Sequence, residues 1–145
     1  MSERTTVHLL RHGEVHNPAK VLYGRLPGFR LSTTGEAMAW AAAEWFTGHD
    51  VTHLVSSPLE RAQETAAPIA DSHGLKVHLD DRVIEAGNEF EGLPVAGGSG
   101  ILKHPRLYPK MLNPFRPSWG EPYVEIVERM RLAIVDARAA AEATP

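Results

Sequence analysis

Short apolar runs alternate along this chain with stretches rich in glycine and proline, and their period shifts between strand-like and helix-like. Thr5–Leu10 (TTVHLL) is apolar and β-branched, which predicts a buried strand. Val15–Leu31 carries Asn17-Pro18, Gly24, Pro27 and Gly28 and predicts a loop. Glu36–Phe46 is alanine-rich and predicts a helix, with Thr33 and Glu36 at capping-box spacing and Gly48 as its stop. Trp40, Trp45 and Phe46 are expected in the core. Val51–Val55 predicts a second buried strand. Ser57-Pro58-Leu59-Glu60 then predicts a helix start, with Ser57 as cap, Pro58 at the first helical position and Glu60 closing the box. That helix should run to about His73 and end at Gly74, with Pro68 kinking or shortening it. Lys76–Leu79 predicts a third strand. Gly87–Pro122 is dense in glycine and proline and predicts an extended excursion with one short helix; Leu107, Tyr108, Phe115 and Trp119 give it something to pack. It reads as a substrate lid, with a packed loop as the alternative, and Lys103, His104 and Arg106 either meet an anionic substrate or form a solvated cluster. Pro122–Ala143 predicts a long helix whose Val124, Val127, Met130, Ala133 and Ile134 share one stripe.

Strand, helix, strand, helix, strand, excursion, helix is the alternation of an α/β protein. It predicts a mainly parallel sheet covered on both faces, a three-layer α/β/α domain over residues 1–145. Composition narrows the function classes. The formal net charge is −3, which argues against nucleic acid and anionic membranes as partners. Cysteine is absent, which removes disulfides and thiol catalysis. The longest apolar run, Ala37–Ala43, is far too short to span a bilayer, and Met1–Gly13 lacks a leader-like apolar stretch. A cytoplasmic protein is expected.

Two strand ends carry unusual chemistry, and in open α/β sheets ligands sit at the carboxyl ends of strands. The first delivers Arg11 and His12, with Gly13 permitting a tight turn. The second delivers Ser56 and Ser57, followed by Arg61 in the first helical turn. A cation there opposes the helix macrodipole. A phosphate between Arg11 and Arg61 resolves that conflict and also meets the N–H groups of the helix start. A neutral imidazole at His12 could attack phosphorus, and a carboxylic acid must protonate the departing oxygen. Glu85, after the third strand, is the best placed acid. The arginines supply the positive charge, so no metal and no cofactor is called for. His8, His12 and His16 are spaced by four, but they lie across a strand and a turn, where that spacing does not converge on a metal.

The blocks Leu9-Leu10-Arg11-His12-Gly13-Glu14, Leu31-Ser32-Thr33-Thr34-Gly35 and Ser56-Ser57-Pro58-Leu59-Glu60-Arg61-Ala62-Gln63-Glu64-Thr65-Ala66 together resemble the signature of the histidine phosphatase superfamily, the phosphoglycerate-mutase-like proteins. The resemblance covers most of Val7–Glu91. It implies His12 as a nucleophile forming a phosphohistidine, Arg11 and Arg61 as phosphate ligands, and Glu85 as proton donor. Glu89 and Glu91 are the alternatives, because the family's acid block is one residue longer than Glu85–Gly92. Asn17 is a further phosphate-ligand candidate. The family's second histidine has no counterpart; Ser72-His73-Gly74 has its letters but ends a helix. In such a fold a strand follows the last helix, so the chain is expected to be a C-terminally truncated form, with a raw sheet edge that invites a homodimer. The implied activity is hydrolysis of a small-molecule phosphomonoester. A mutase-type phosphotransferase and a non-catalytic phosphate-binding protein are the alternatives. Val15-His16-Asn17 in place of the mutases' motif end favours the phosphatase.

Overall fold

The first helix is set by serine chemistry. In the computed structural model, which describes residues 4–94, 105–111 and 120–144, α1 runs Thr33–Phe46, and the Ser32 side chain accepts a hydrogen bond from the Gly35 N–H at 3.1 Å. The cap is therefore Ser32, not Thr33, and the expected Thr33–Glu36 box is not formed. A serine hydroxyl reaches the backbone three residues ahead, and here that donor belongs to a glycine. Gly48 does not stop α1 either: Thr47 closes it in right-handed conformation.

The buried positions of α1 are Gly35, Ala39, Ala43 and Phe46, a stripe of small residues ended by Phe46 on the helix that packs on α2 (Glu60–His73). Small side chains let the two helices approach closely. Trp40 and Trp45 lie off that stripe and are 61% and 57% exposed, which corrects their expected place in the core. The apolar cluster is Ala43, Phe46 and Ile69, with Val51 and Leu54 packed against it.

Between these helices β1 (Leu54–Ser56) pairs in parallel with β2 (Val77–Leu79), in the register Leu54 to Val77 and Ser56 to Leu79. The crossover is α2, so this is the βαβ unit that the alternation predicts. β1 is three residues long and starts later than the expected Val51–Val55. The start of α2 also differs in detail. Leu59 is its N-cap without a side-chain bond, while the Ser57 hydroxyl accepts from the Leu59 N–H at 3.3 Å. Pro58 therefore precedes the helix. Pro68 does not shorten α2, which continues to His73 and ends at Gly74 with a φ of 64°.

Thr5–Leu10 departs most from expectation. No ladder pairs it with β1 or β2 among the described residues, and Leu9 is 71% exposed. An apolar run shows that a segment can be buried; the pairing that makes it a strand comes from a neighbour, which periodicity does not supply.

A 3-10 turn at Asp81–Val83 follows β2, capped by the Asp80 carboxylate on the Arg82 N–H. The last helix, α3 (Tyr123–Glu142), docks on it through the Arg82–Asp136 ion pair and a hydrogen bond from Arg129 to the Arg82 carbonyl. Arg82 joins Asp80 and Asp136, each at 2.7 Å, and its guanidinium holds the Asp80 carboxyl below the usual range. The face of α3 turned inward holds Ile126, Met130, Ala133 and Ile134. Val124 and Val127 are 80% and 65% exposed, so the predicted stripe is displaced around the helix. Arg129 supplies the reason, because its hydrogen bonds to Glu121 and to the Arg82 carbonyl fix the rotation of α3. Pro105–Met111 is a 3-10 helix, the short helix expected in the excursion, and it carries Arg106 and Tyr108. Lys103, His104, Phe115 and Trp119 lie outside the described residues. Among the described residues no helix is long and apolar enough to cross a membrane.

Two outcomes follow from this architecture. A Cβ on Gly35 would lie 2.0 Å from the Glu14 carbonyl oxygen, and backbone cannot swing aside. Gly35→Ala should therefore cost at least about 2 kcal/mol in denaturant unfolding, whereas Gly48→Ala, in open space, should stay within about 0.5 kcal/mol. The His53 and His78 rings stack at 4.6 Å, and burial together with His78 lowers the His53 pKa. The unfolded chain thus binds the proton more readily than the fold, so stability contributed above about pH 6.5 is lost as the pH falls. The melting temperature should drop between pH 7.5 and 5.5, and His53→Gln should reduce that drop.

Candidate active site

His12 stands directly before Gly13, and Gly13 is where the chain is pinned. A Cβ on Gly13 would lie 2.5 Å from the Gly35 carbonyl oxygen, so only glycine lets this segment lie against the start of α1. The Gly13 N–H donates to the Thr65 hydroxyl at 3.1 Å, and that hydroxyl donates to the Arg61 carbonyl at 2.7 Å. The histidine segment is thereby tied to the first turns of α2, where Arg61 sits.

The imidazole geometry fixes its chemistry. His12 Nδ1 lies 2.7 Å from the Gly13 carbonyl oxygen. A carbonyl only accepts, so Nδ1 is the donor, and in the neutral ring Nε2 is the nitrogen that bears the lone pair. Nε2 is buried and has no hydrogen-bond partner among the described residues. Arg61 is 1% exposed, yet its partners are the Gly24 carbonyl and the face of the Tyr23 ring, with the guanidinium carbon 4.7 Å from the ring centroid. Neither partner is an anion, and Arg61 Nε is likewise buried without a partner among the described residues. A buried cation is normally paired, so this arrangement fits an anionic ligand.

Tyr23 is common to both groups, since its ring centroid lies 6.3 Å from that of His12. It also lines a cleft of about 380 Å³ with Arg11, Glu85, Asn88 and Tyr123. The structure thus gathers four predicted residues around one loop: His12 and Arg61 against the Tyr23 ring, Arg11 and Glu85 in the adjoining cleft.

Glu85 is exposed and held by its backbone. Its carbonyl accepts from Arg25 Nε at 2.7 Å, while Arg25 Nη2 pairs with Glu121 at 2.8 Å. Glu121 also takes a two-pronged grip from Arg129, at 2.7 and 2.9 Å. Arg129 is the main cause of the lowered Glu121 pKa, with the Gly87 N–H and Arg25 adding to it. Glu91 accepts from the Arg25 N–H at 2.9 Å and packs where Gly24 leaves room for it, so it serves the loop. Glu89 lines a neighbouring pocket with Arg25 and Glu91.

Asn17 has both ends of its amide on Val21, donating to its carbonyl at 2.8 Å and accepting from its N–H at 3.2 Å. It closes the loop that leads to Tyr23. His73 sits at the end of α2, with Nε2 3.1 Å from the Phe46 carbonyl, and joins α2 to α1. His8 packs edge-on against Trp45 and Phe46. Sequence reasoning missed Tyr23, Arg25, Thr65 and Glu121. Thr65 was findable, being one helical turn after Arg61; the others act through the loop, which has no period to reveal them.

The profile of the histidine phosphatase superfamily (branch 1) matches residues 7–144. The chain is 54% identical to the uncharacterized protein Rv0525 of Mycobacterium tuberculosis, over 95% of this chain and 68% of that protein. It is 34% identical to the protein named Probable phosphoglycerate mutase GpmB of Yersinia enterocolitica, over 88% of this chain and 60% of the other. The solved structure of a mycobacterial glucosyl-3-phosphoglycerate phosphatase superposes with a TM-score of 0.68 at 30% identity, over 86% of this chain. The chain spans 59% of that structure's length.

The hydroxyl that ties Gly13 to α2 yields a test. Thr65→Val leaves the buried Gly13 N–H without its acceptor, at a cost of about 1–3 kcal/mol. Urea unfolding should show that loss, and vanadate affinity should fall with it because His12 follows Gly13.

Proposed function

The chain belongs to the histidine phosphatase superfamily, branch 1, and on that premise we propose that it hydrolyses a small-molecule phosphomonoester through a phosphohistidine on His12. The observation that carries this reading is the buried Arg61, which has no anionic partner among the described residues and shares the Tyr23 ring with an imidazole whose Nε2 is unengaged there.

In this reading Arg61 and Arg11 hold the phosphoryl oxygens and neutralise their charge. His12 Nε2 attacks phosphorus, forming a P–N bond as the P–O bond to the alcohol breaks. The Glu85 carboxyl gives its proton to the departing oxygen. Water then attacks the phosphohistidine and loses its proton to the Glu85 carboxylate, which releases inorganic phosphate and restores the starting state. His12 keeps its Nδ1 proton on the Gly13 carbonyl throughout, which steadies the ring as charge develops. Asn17 contributes by holding the loop that carries Tyr23 and Gly24. The absence of any demand for a metal follows from this chemistry, since two guanidinium groups supply the charge.

The test is a quench experiment with a labelled aryl phosphate. Wild-type protein should carry acid-labile, base-stable phosphate and release inorganic phosphate. His12→Ala should carry none, and Arg61→Ala should bind vanadate at least about tenfold more weakly, from loss of a charge-assisted pair. Label that persists in His12→Ala removes His12 as nucleophile. Vanadate binding without label or turnover in the wild type would replace the enzyme with a phosphate-binding protein.

A further inference from the structure

Phosphate sites built on arginine need the guanidinium aimed, and a long flexible side chain is rarely aimed by one hydrogen bond. Arg61 has an unusual support. Nη2 donates to the Gly24 carbonyl, and the guanidinium carbon stands 4.7 Å over the centre of the Tyr23 ring. The Tyr23 ring is itself backed by Phe29, stacked at 5.3 Å with 27° between planes. It faces His12 at a tilt of 60°. The backbone around it is fixed too: the Tyr23 carbonyl accepts from the Leu26 N–H at 2.7 Å, and Gly24 takes a φ of 41° with the Glu91 side chain packed on its bare Cα.

We propose that Tyr23 is a positioning residue for phosphoryl transfer, its ring face holding Arg61 against the anion while the same ring stands beside the His12 imidazole. The ring attracts a cation electrostatically without neutralising it, so Arg61 is oriented while its full charge stays available to a phosphate. A carboxylate in the same place would orient the guanidinium equally well but would compete with the ligand for it. Phe29 keeps the Tyr23 ring from turning edge-on to Arg61. The role uses the ring and not the phenol hydroxyl.

This inference rests on the phosphatase reading, and the experiment separates the two. Vanadate affinity and aryl phosphate turnover are measured for wild type, Tyr23→Phe, Tyr23→Leu and Arg61→Ala, and for Tyr23→Leu combined with Arg61→Ala. Tyr23→Leu should weaken vanadate binding roughly tenfold, the size of a desolvated cation–π contact, and raise KM by a similar factor. Tyr23→Phe, which keeps the ring, should recover most of that loss. In the Arg61→Ala background Tyr23→Leu should have little additional effect, because the group it aims is gone. A loss that is full-sized in that background, or shared equally by Tyr23→Phe, overturns the role. Tyr23→Met serves if the leucine variant does not fold. A wild type that neither binds vanadate nor forms phosphohistidine brings down the phosphatase reading itself, whereas an active wild type with an unaffected Tyr23→Leu overturns only the role of Tyr23.

Discussion

The structure depends on one close approach, between the backbone of Gly13 and Glu14 and that of Gly35. No Cβ fits on either glycine of that contact. It seats the segment carrying Arg11 and His12 on the first turn of α1, while the Thr65 hydroxyl takes the Gly13 N–H and seats it on α2. Backbone-to-backbone contact is less forgiving than side-chain packing, because neither partner has a rotamer with which to adjust. A site that must hold an imidazole to within a fraction of an ångström gains from such a support.

A second level of support is ionic. Arg25, Glu121 and Arg129 link the loop before α1, the segment around Glu85 and the beginning of α3. Arg129 and Glu121 have side-chain exposures of 17% and 16%, so their two-pronged pair is poorly screened and geometrically specific. The surface pair of Arg131 with Glu128 on α3 is more than half exposed and adds little. Only the first kind shapes the cleft. One consequence is that α3 turns its Ile126 and Ala133 face inward and leaves Val124 outside, against the simplest reading of its apolar stripe.

Helices were the most legible part of the chain. α2 ends at Gly74 as expected, because a left-handed backbone after a helix is cheapest for glycine. The span of α3 was readable for the same kind of reason, a long period without glycine or proline. The parallel pairing of β1 with β2 followed from α2 lying between them. Errors came where neighbours decide. Trp40 and Trp45 are apolar and helical, yet the close α1–α2 packing selects alanines. Thr5–Leu10 has strand composition, but no described strand pairs with it.

For the site, the sequence determined which residue types stand where chemistry can happen: a histidine flanked by arginine and glycine, an arginine in a first helical turn, and a glutamate after a short strand. Those identities are local, and their family resemblance is carried by consecutive letters. What only tertiary structure decided is which partner each group meets. The Gly13 carbonyl sets the His12 tautomer, the Tyr23 ring and Gly24 carbonyl aim Arg61, and the Arg25–Glu121–Arg129 group holds the backbone of Glu85. These partners lie up to 96 residues apart in the chain. Periodicity carries no signal at that separation, because such contacts arise from the way loops are folded against helices rather than from any local pattern.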